Sequence, residues 1–225
     1  MPGPTVLMHA AAWSQLLPVG AAVHRRFERP AFKWLATGFL VSVAGDALQL
    51  WLGRRGLNNL WVSYLSTPVM GASFLWAMSY FHTGLVGRLA LRIAVPVYVM
   101  VWYALAILVE DTAGFSRFVY PLHSLLILAA GLWILTSRGV APARQPILRS
   151  DWFWIVGGLS LYGAGTAIME PVLVELMKED VGLVVAAYQV RSASDILAFV
   201  AISWGMLCSA RIPRSGPSFS PPASG

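Results

Sequence analysis

The sequence predicts an all-α polytopic membrane protein: a seven-transmembrane-helix bundle with its N-terminus outside and its C-terminus in the cytoplasm. Three observations carry this expectation. Of the 225 residues, 57% are hydrophobic and only 12% charged, where a soluble domain carries about 25% charged residues. The apolar residues gather in seven stretches near the roughly 20 residues that take a helix across a bilayer. The basic residues fall in the short loops between those stretches, and far more of them lie on one side than on the other, as membrane insertion favours.

The first span, residues 5–23, contains His9, Ser14, Gln15 and Pro18. No basic region precedes it, so it reads as a helix and not as a secretory signal. The second span covers 31–53, the third 60–81, the fourth 89–109 and the fifth 118–137. The sixth covers 152–175, with Gly157, Gly158, Gly163 and Gly165 expected to admit close helix approach. The seventh covers 182–208. Residues 1–210 form the transmembrane domain. The Pro, Ser and Gly-rich segment 211–225 reads as a disordered cytoplasmic tail.

The loops set the orientation. Arg25, Arg26, Arg29 and Lys33 follow the first span, Arg88 and Arg92 the third, Arg138, Arg144 and Arg149 the fifth, and Arg211 and Arg214 the seventh. These eleven lie on one side. The other side carries Arg54, Arg55, Arg117 and Lys178, diluted by Glu110, Asp111, Glu179 and Asp180. Positive-inside insertion places the first group in the cytoplasm. Seven crossings preserve the alternation, and six break it. Trp51, Trp61, Trp152 and Trp154 suit interface anchors.

Ionisable residues within spans are costly and mark function by default. The stretch VVAAYQVRSASDILAFVAISWGML holds Arg191 and Asp195 four residues apart, one helical turn, within reach of each other. Asp46 lies in the outward part of the second span, Tyr64 in that of the third, and Glu170 in that of the sixth. His123 lies near the outer end of the fifth, and Tyr188 one turn above Arg191. These seven residues are the expected ligand-binding set. An Asp46–Arg191 pair between helices and an Arg191 that snorkels to the outer headgroups are both compatible with the pattern. Glu170 before Pro171 also fits a simple helix end, and His123 a hydrogen-bonded structural histidine. The polar groups gather in the outer half above a dry inner half, as in a cup open to the outside.

Several chemistries find no support. The net charge of +6 forms no continuous patch, so nucleic acid is not an expected partner. The single cysteine, Cys208, excludes an intrachain disulfide and a cysteine zinc site. Lys33 and Lys178 lie at span ends, which argues against a retinal Schiff base, and no cofactor is expected. Ser63 or Ser194 with His123 and Asp195 makes a hydrolase-like triplet, but any chain of this size offers such triplets. The halves of the chain do not repeat, as an inverted-repeat transporter would require.

The stretch GLNNLWVSYLSTPVMGASFLWAMSYF, with the early LLP and the polar-then-apolar last helix, resembles a group of small bacterial seven-helix membrane proteins of unknown function. They carry an Asn-x-Trp entry to the third helix, here Asn59 and Trp61. The resemblance implies a bacterial inner-membrane location and no activity. The expected function is a sensor or receptor-like protein binding a small or lipid-like ligand in an outward pocket. A membrane hydrolase or lipid-modifying enzyme and a structural accessory subunit are the alternatives. The lipid bilayer is the expected partner, together with a further membrane protein that relays the signal.

Overall fold

The computed structural model describes residues 6–110, 116, 118–139, 146–176 and 181–208; among these, all regular structure is helical. The helices are α1 (Val6–Ser14), α2 (Leu16–His24), α3 (Pro30–Arg54), α4 (Leu60–Ser79), α5 (Leu85–Leu108), α6 (Val119–Gly139), α7 (Asp151–Leu176) and α8 (Val181–Cys208), with a short 3₁₀ turn at Ile147–Arg149. The expected tail, residues 211–225, lies outside the described residues.

Prolines set the local departures from straight helices. The expected first span is broken at Gln15 into α1 and α2. Pro18 lacks an amide hydrogen, and its ring crowds the carbonyl four residues back, at Ser14, which is where α1 stops. Pro30 opens α3 at a position where no amide donor is needed. Pro68 lies inside α4 and cannot donate to the Tyr64 carbonyl; the Trp102 indole of α5 donates to it instead, at 3.1 Å. Such substitution by a neighbouring helix is how a proline is tolerated within a bundle. α7 runs through Pro171 to Leu176, so Glu170 is not a helix end.

Among the described residues, six segments are long and apolar enough to cross a membrane: Val6–His24, α3, α5, the Val119–Arg138 part of α6, the Asp151–Met169 part of α7, and Gly182–Cys208. The chain is thus compatible with a multi-pass protein in a lipid bilayer. α4 has the length but not the apolarity, because Ser63, Ser66, Thr67, Ser73 and Ser79 interrupt it. Its environment accounts for this. α4 packs against α3, α5 and α6, and most of its side chains are buried by protein.

The helices close a ring. The α1/α2 rod contacts α3, α3 contacts α4, α4 contacts α6, α6 contacts α7, and α7 contacts α8, which returns to α1 and α2. α5 packs outside the ring on α4 and α6. Small residues set the tightest seams. A Cβ at Gly163 would stand 2.9 Å from the Leu128 amide nitrogen and the Ser124 carbonyl oxygen of α6. One at Gly158 would stand 2.7 Å from the Ala198 carbonyl of α8, and one at Gly165 2.8 Å from the Ser194 hydroxyl. Gly157 differs from its three neighbours: a Cβ added there would meet nothing within 4 Å.

One end of the ring is cationic. Arg29 pairs with Asp151, joining the start of α3 to the start of α7, and Arg138 lies over the Trp152 ring at 4.9 Å. The inner half is filled by Leu35, Leu75, Met78, Ile155 and Ile202, all fully buried. The other end is open.

Candidate functional site

Three helices carry a stripe at helical spacing, polar at the open end and aromatic at mid-depth. Reading inward, α3 presents Gln49, Asp46, Ser42 and Phe39, and α4 presents Ser63, Thr67, Met70 and Phe74. α8 presents Tyr188, Arg191 with Ser192, Asp195 and Phe199. Steps of three and four residues keep each set on one helix face, and all of these residues line one cavity of about 410 Å³. α1 adds Met8, Ala11, Ala12 and Gln15, α7 adds Tyr162, and the start of α6 adds Tyr120.

The floor is a closed circuit of four rings from four helices. Phe39 lies 4.9 Å from Phe74, Phe74 6.3 Å from Tyr162, Tyr162 5.8 Å from Phe199, and Phe199 5.2 Å from Phe39, between centroids. Aromatic pairs at these spacings stabilise one another beyond their area, and here they close the cup against the apolar inner half.

The charged groups stand above the rings. Asp46 accepts a 2.7 Å hydrogen bond from the Gln15 side chain of the broken first rod. Arg191 Nε lies 3.8 Å from Asp195 Oδ2, an ion pair along α8 at the long end of the range. The charge of Arg191 acts on Asp46 also. Tyr162 lies within the fields of Asp195, Arg191 and Asp46 together. All three charged residues line the cavity.

The far wall is organised by Glu110. Its Oε1 accepts from the Ser116 hydroxyl at 3.1 Å and from the amides of Phe118 and Val119, the free donors at the start of α6. Thr67 donates to the Tyr120 hydroxyl at 3.2 Å, and Tyr120 packs edge-on to both Tyr64 and Trp102.

Of the seven residues expected from sequence, the structure brings five to the cavity: Asp46, Tyr64, Tyr188, Arg191 and Asp195. His123 is elsewhere. It is 1% exposed, and its Nδ1 lies 2.9 Å from the Tyr98 hydroxyl in the α4–α5–α6 seam. Gly71 makes room for this pair, since a Cβ there would stand 2.6 Å from His123 Nδ1. The side chain of Glu170 lies outside the described residues. Gln15 and the four floor rings are not in the expected set; Phe39, Phe74 and Phe199 each stand at the inner end of a stripe, whereas Gln15 and Tyr162 lie on other segments and carry no such spacing.

Among the described residues no group of three or more His, Cys, Asp and Glu side chains is arranged to hold a metal ion. No protein-family model, curated protein or solved structure matches the chain.

Proposed function

We propose that the chain crosses a bacterial cytoplasmic membrane seven times, α4 included, with its N-terminus outside. Its cavity then faces outward and takes a small or lipid-like ligand in a sensor or receptor-like role. The single observation that carries this proposal is the cavity of about 410 Å³, with Asp46, Arg191 and Asp195 above an aromatic floor. Its volume falls within the range of small-molecule sites, and a few placed polar groups above apolar walls are what such sites use to fix orientation.

Two further features support it. A helix enclosed by protein can carry the hydroxyls of α4 and still cross, since hydrogen bonds within the bundle satisfy them. The arginines at the cationic end lie opposite the cavity, as positive-inside insertion requires of an outward cup. The filled inner half favours a binding protein over one that passes its ligand through. Occupancy would be read by a membrane protein partner against the outer faces of the bundle.

Native mass spectrometry of protein released from mild detergent tests the proposal. A discrete extra mass on wild type, lost from a folded Asp195→Asn variant, is the expected result. A bare wild type together with a variant that is merely less stable would make the charges a packing device and sink the binding proposal.

A further inference from the structure

We infer that the cavity selects an organic ammonium group, held between Asp46 and Asp195 above the ring of Phe39, Phe74, Tyr162 and Phe199. This rests on the binding role proposed above and specifies its ligand chemistry.

The placement follows from the stripes. Asp46 lies seven residues from Phe39 on α3, and Asp195 lies four residues from Phe199 on α8, each one or two turns nearer the open end on the same face. Phe39 and Phe199 meet edge to face at 5.2 Å. The two helix faces are thus turned toward each other at the floor, and each bears one carboxylate above it. Among the described residues the cavity is therefore lined by two carboxylates and one guanidinium, and that guanidinium, Arg191, lies beside Asp195. Gln15, the hydrogen-bond partner of Asp46, brings no charge. An anion entering this space would meet an unbalanced negative field, and a cation would meet an attractive one.

The floor adds a second preference in the same direction. Aromatic rings attract cations to their electron-rich faces, and all four floor rings line the cavity, although Phe39, Phe74 and Phe199 are largely covered by one another and by the surrounding helices. Among the described residues no third His, Cys, Asp or Glu joins the two carboxylates, a set that suits an ammonium better than a divalent metal, which takes six or more oxygens or near-ideal octahedral geometry. The hydroxyls of Ser42, Ser63 and Thr67 leave room for a polar substituent on the remainder of the ligand. An ammonium of this kind is carried by free amines and by zwitterionic lipid headgroups.

Three probes share one ring and a two-carbon reach while differing in charge: 2-phenylethylammonium, 2-phenylethanol and phenylacetate. They are titrated calorimetrically into the full chain in mild detergent. The ammonium should bind, with the neutral and anionic probes weaker by roughly tenfold or more. Asp46→Asn should weaken the ammonium by a similar factor. Arg191→Gln should tighten it, a gain that misfolding cannot imitate. Displacement of the probe by dihexanoylphosphatidylethanolamine would assign the natural ammonium to a lipid headgroup, and failure to displace would assign it to a free amine; both support the inference. Phenylacetate or 2-phenylethanol binding as tightly as the ammonium would overturn the charge preference while leaving a ligand cavity in place. If none of the three binds, the ammonium inference falls, and the mass measurement above decides separately whether the cavity holds any ligand.

Discussion

The Gln15 side chain donates a 2.7 Å hydrogen bond to the Asp46 carboxylate, joining residues 31 apart in sequence. Gln15 stands at the break between α1 and α2, where Pro18 interrupts the helix, and Asp46 on the cavity face of α3. A proline-made discontinuity thus supplies the partner of the most isolated charge in the second span. Arg191 pairs with Asp195 within its own helix.

Gln15→Leu removes that partner and leaves the volume nearly unchanged. Because Asp46 also meets the open cavity, the loss should be modest, about 1 kcal/mol, the scale of a net hydrogen bond. The effect should be local. Hydrogen exchange read by mass spectrometry should show faster exchange in Val6–Ser14 than in wild type, with α6 and α7 unchanged. Uniformly faster exchange across the bundle would mean that Gln15 holds the whole fold and is no local latch.

Much of the fold is legible in the sequence because lipid leaves few ways to satisfy a backbone. The second, fifth and seventh expected spans agree with α3, α6 and α8 to within a few residues. The break at Gln15 is harder to read, since Pro18 inside an apolar run is also compatible with a continuous kinked helix. The site is legible in its charged members and not in its floor. Asp46, Arg191 and Asp195 stand out because charge in a span is rare, whereas Phe39, Phe74, Tyr162 and Phe199 look like any buried aromatics until four helices bring them together. His123 shows the reverse: a polar residue at the expected depth, turned by helix rotation into a seam with Tyr98.

Gly157 and Gly163 look alike in sequence and should behave differently. A methyl at Gly163 meets the backbone of Leu128 and Ser124, which cannot swing aside; at Gly157 it meets nothing within 4 Å. Gly163→Ala should therefore cost about 1–3 kcal/mol through overpacking, and Gly157→Ala should stay within about 0.5 kcal/mol of wild type. Reversible unfolding in mixed detergent micelles reads both. Equal losses would mean that α7 does not lie against α6 along the Gly163 face.

Trp102 and Pro68 should be coupled although they lie on different helices. Trp102→Phe leaves the Tyr64 carbonyl without the indole donor, at a cost of about 1–3 kcal/mol for an unsatisfied buried acceptor. Pro68→Ala restores an amide able to bond that same carbonyl within α4. Trp102→Phe should then cost about 1 kcal/mol less in the Pro68→Ala background than alone, a coupling on the scale found between contacting residues. Strict additivity in the four-member cycle would mean that the indole does not substitute for the missing helical bond.

The orientation assigned to the bundle turns on which end meets the outside. Cys208 closes α8 at the end opposite the cavity mouth and is the only cysteine in the chain. Leu57 lies between α3 and α4 beside the mouth and is 54% exposed. A membrane-impermeant maleimide applied to intact cells should leave wild type unlabelled and should label Leu57→Cys made in a Cys208→Ser background. Permeabilised cells should then give label on wild type also. Labelling of Cys208 in sealed cells, with Leu57→Cys protected, would turn the cavity toward the cytoplasm. Its ammonium ligand would then have to be a cytoplasmic amine or an inner-leaflet headgroup, and the arginines at the far end would face outward against the bias that membrane insertion imposes.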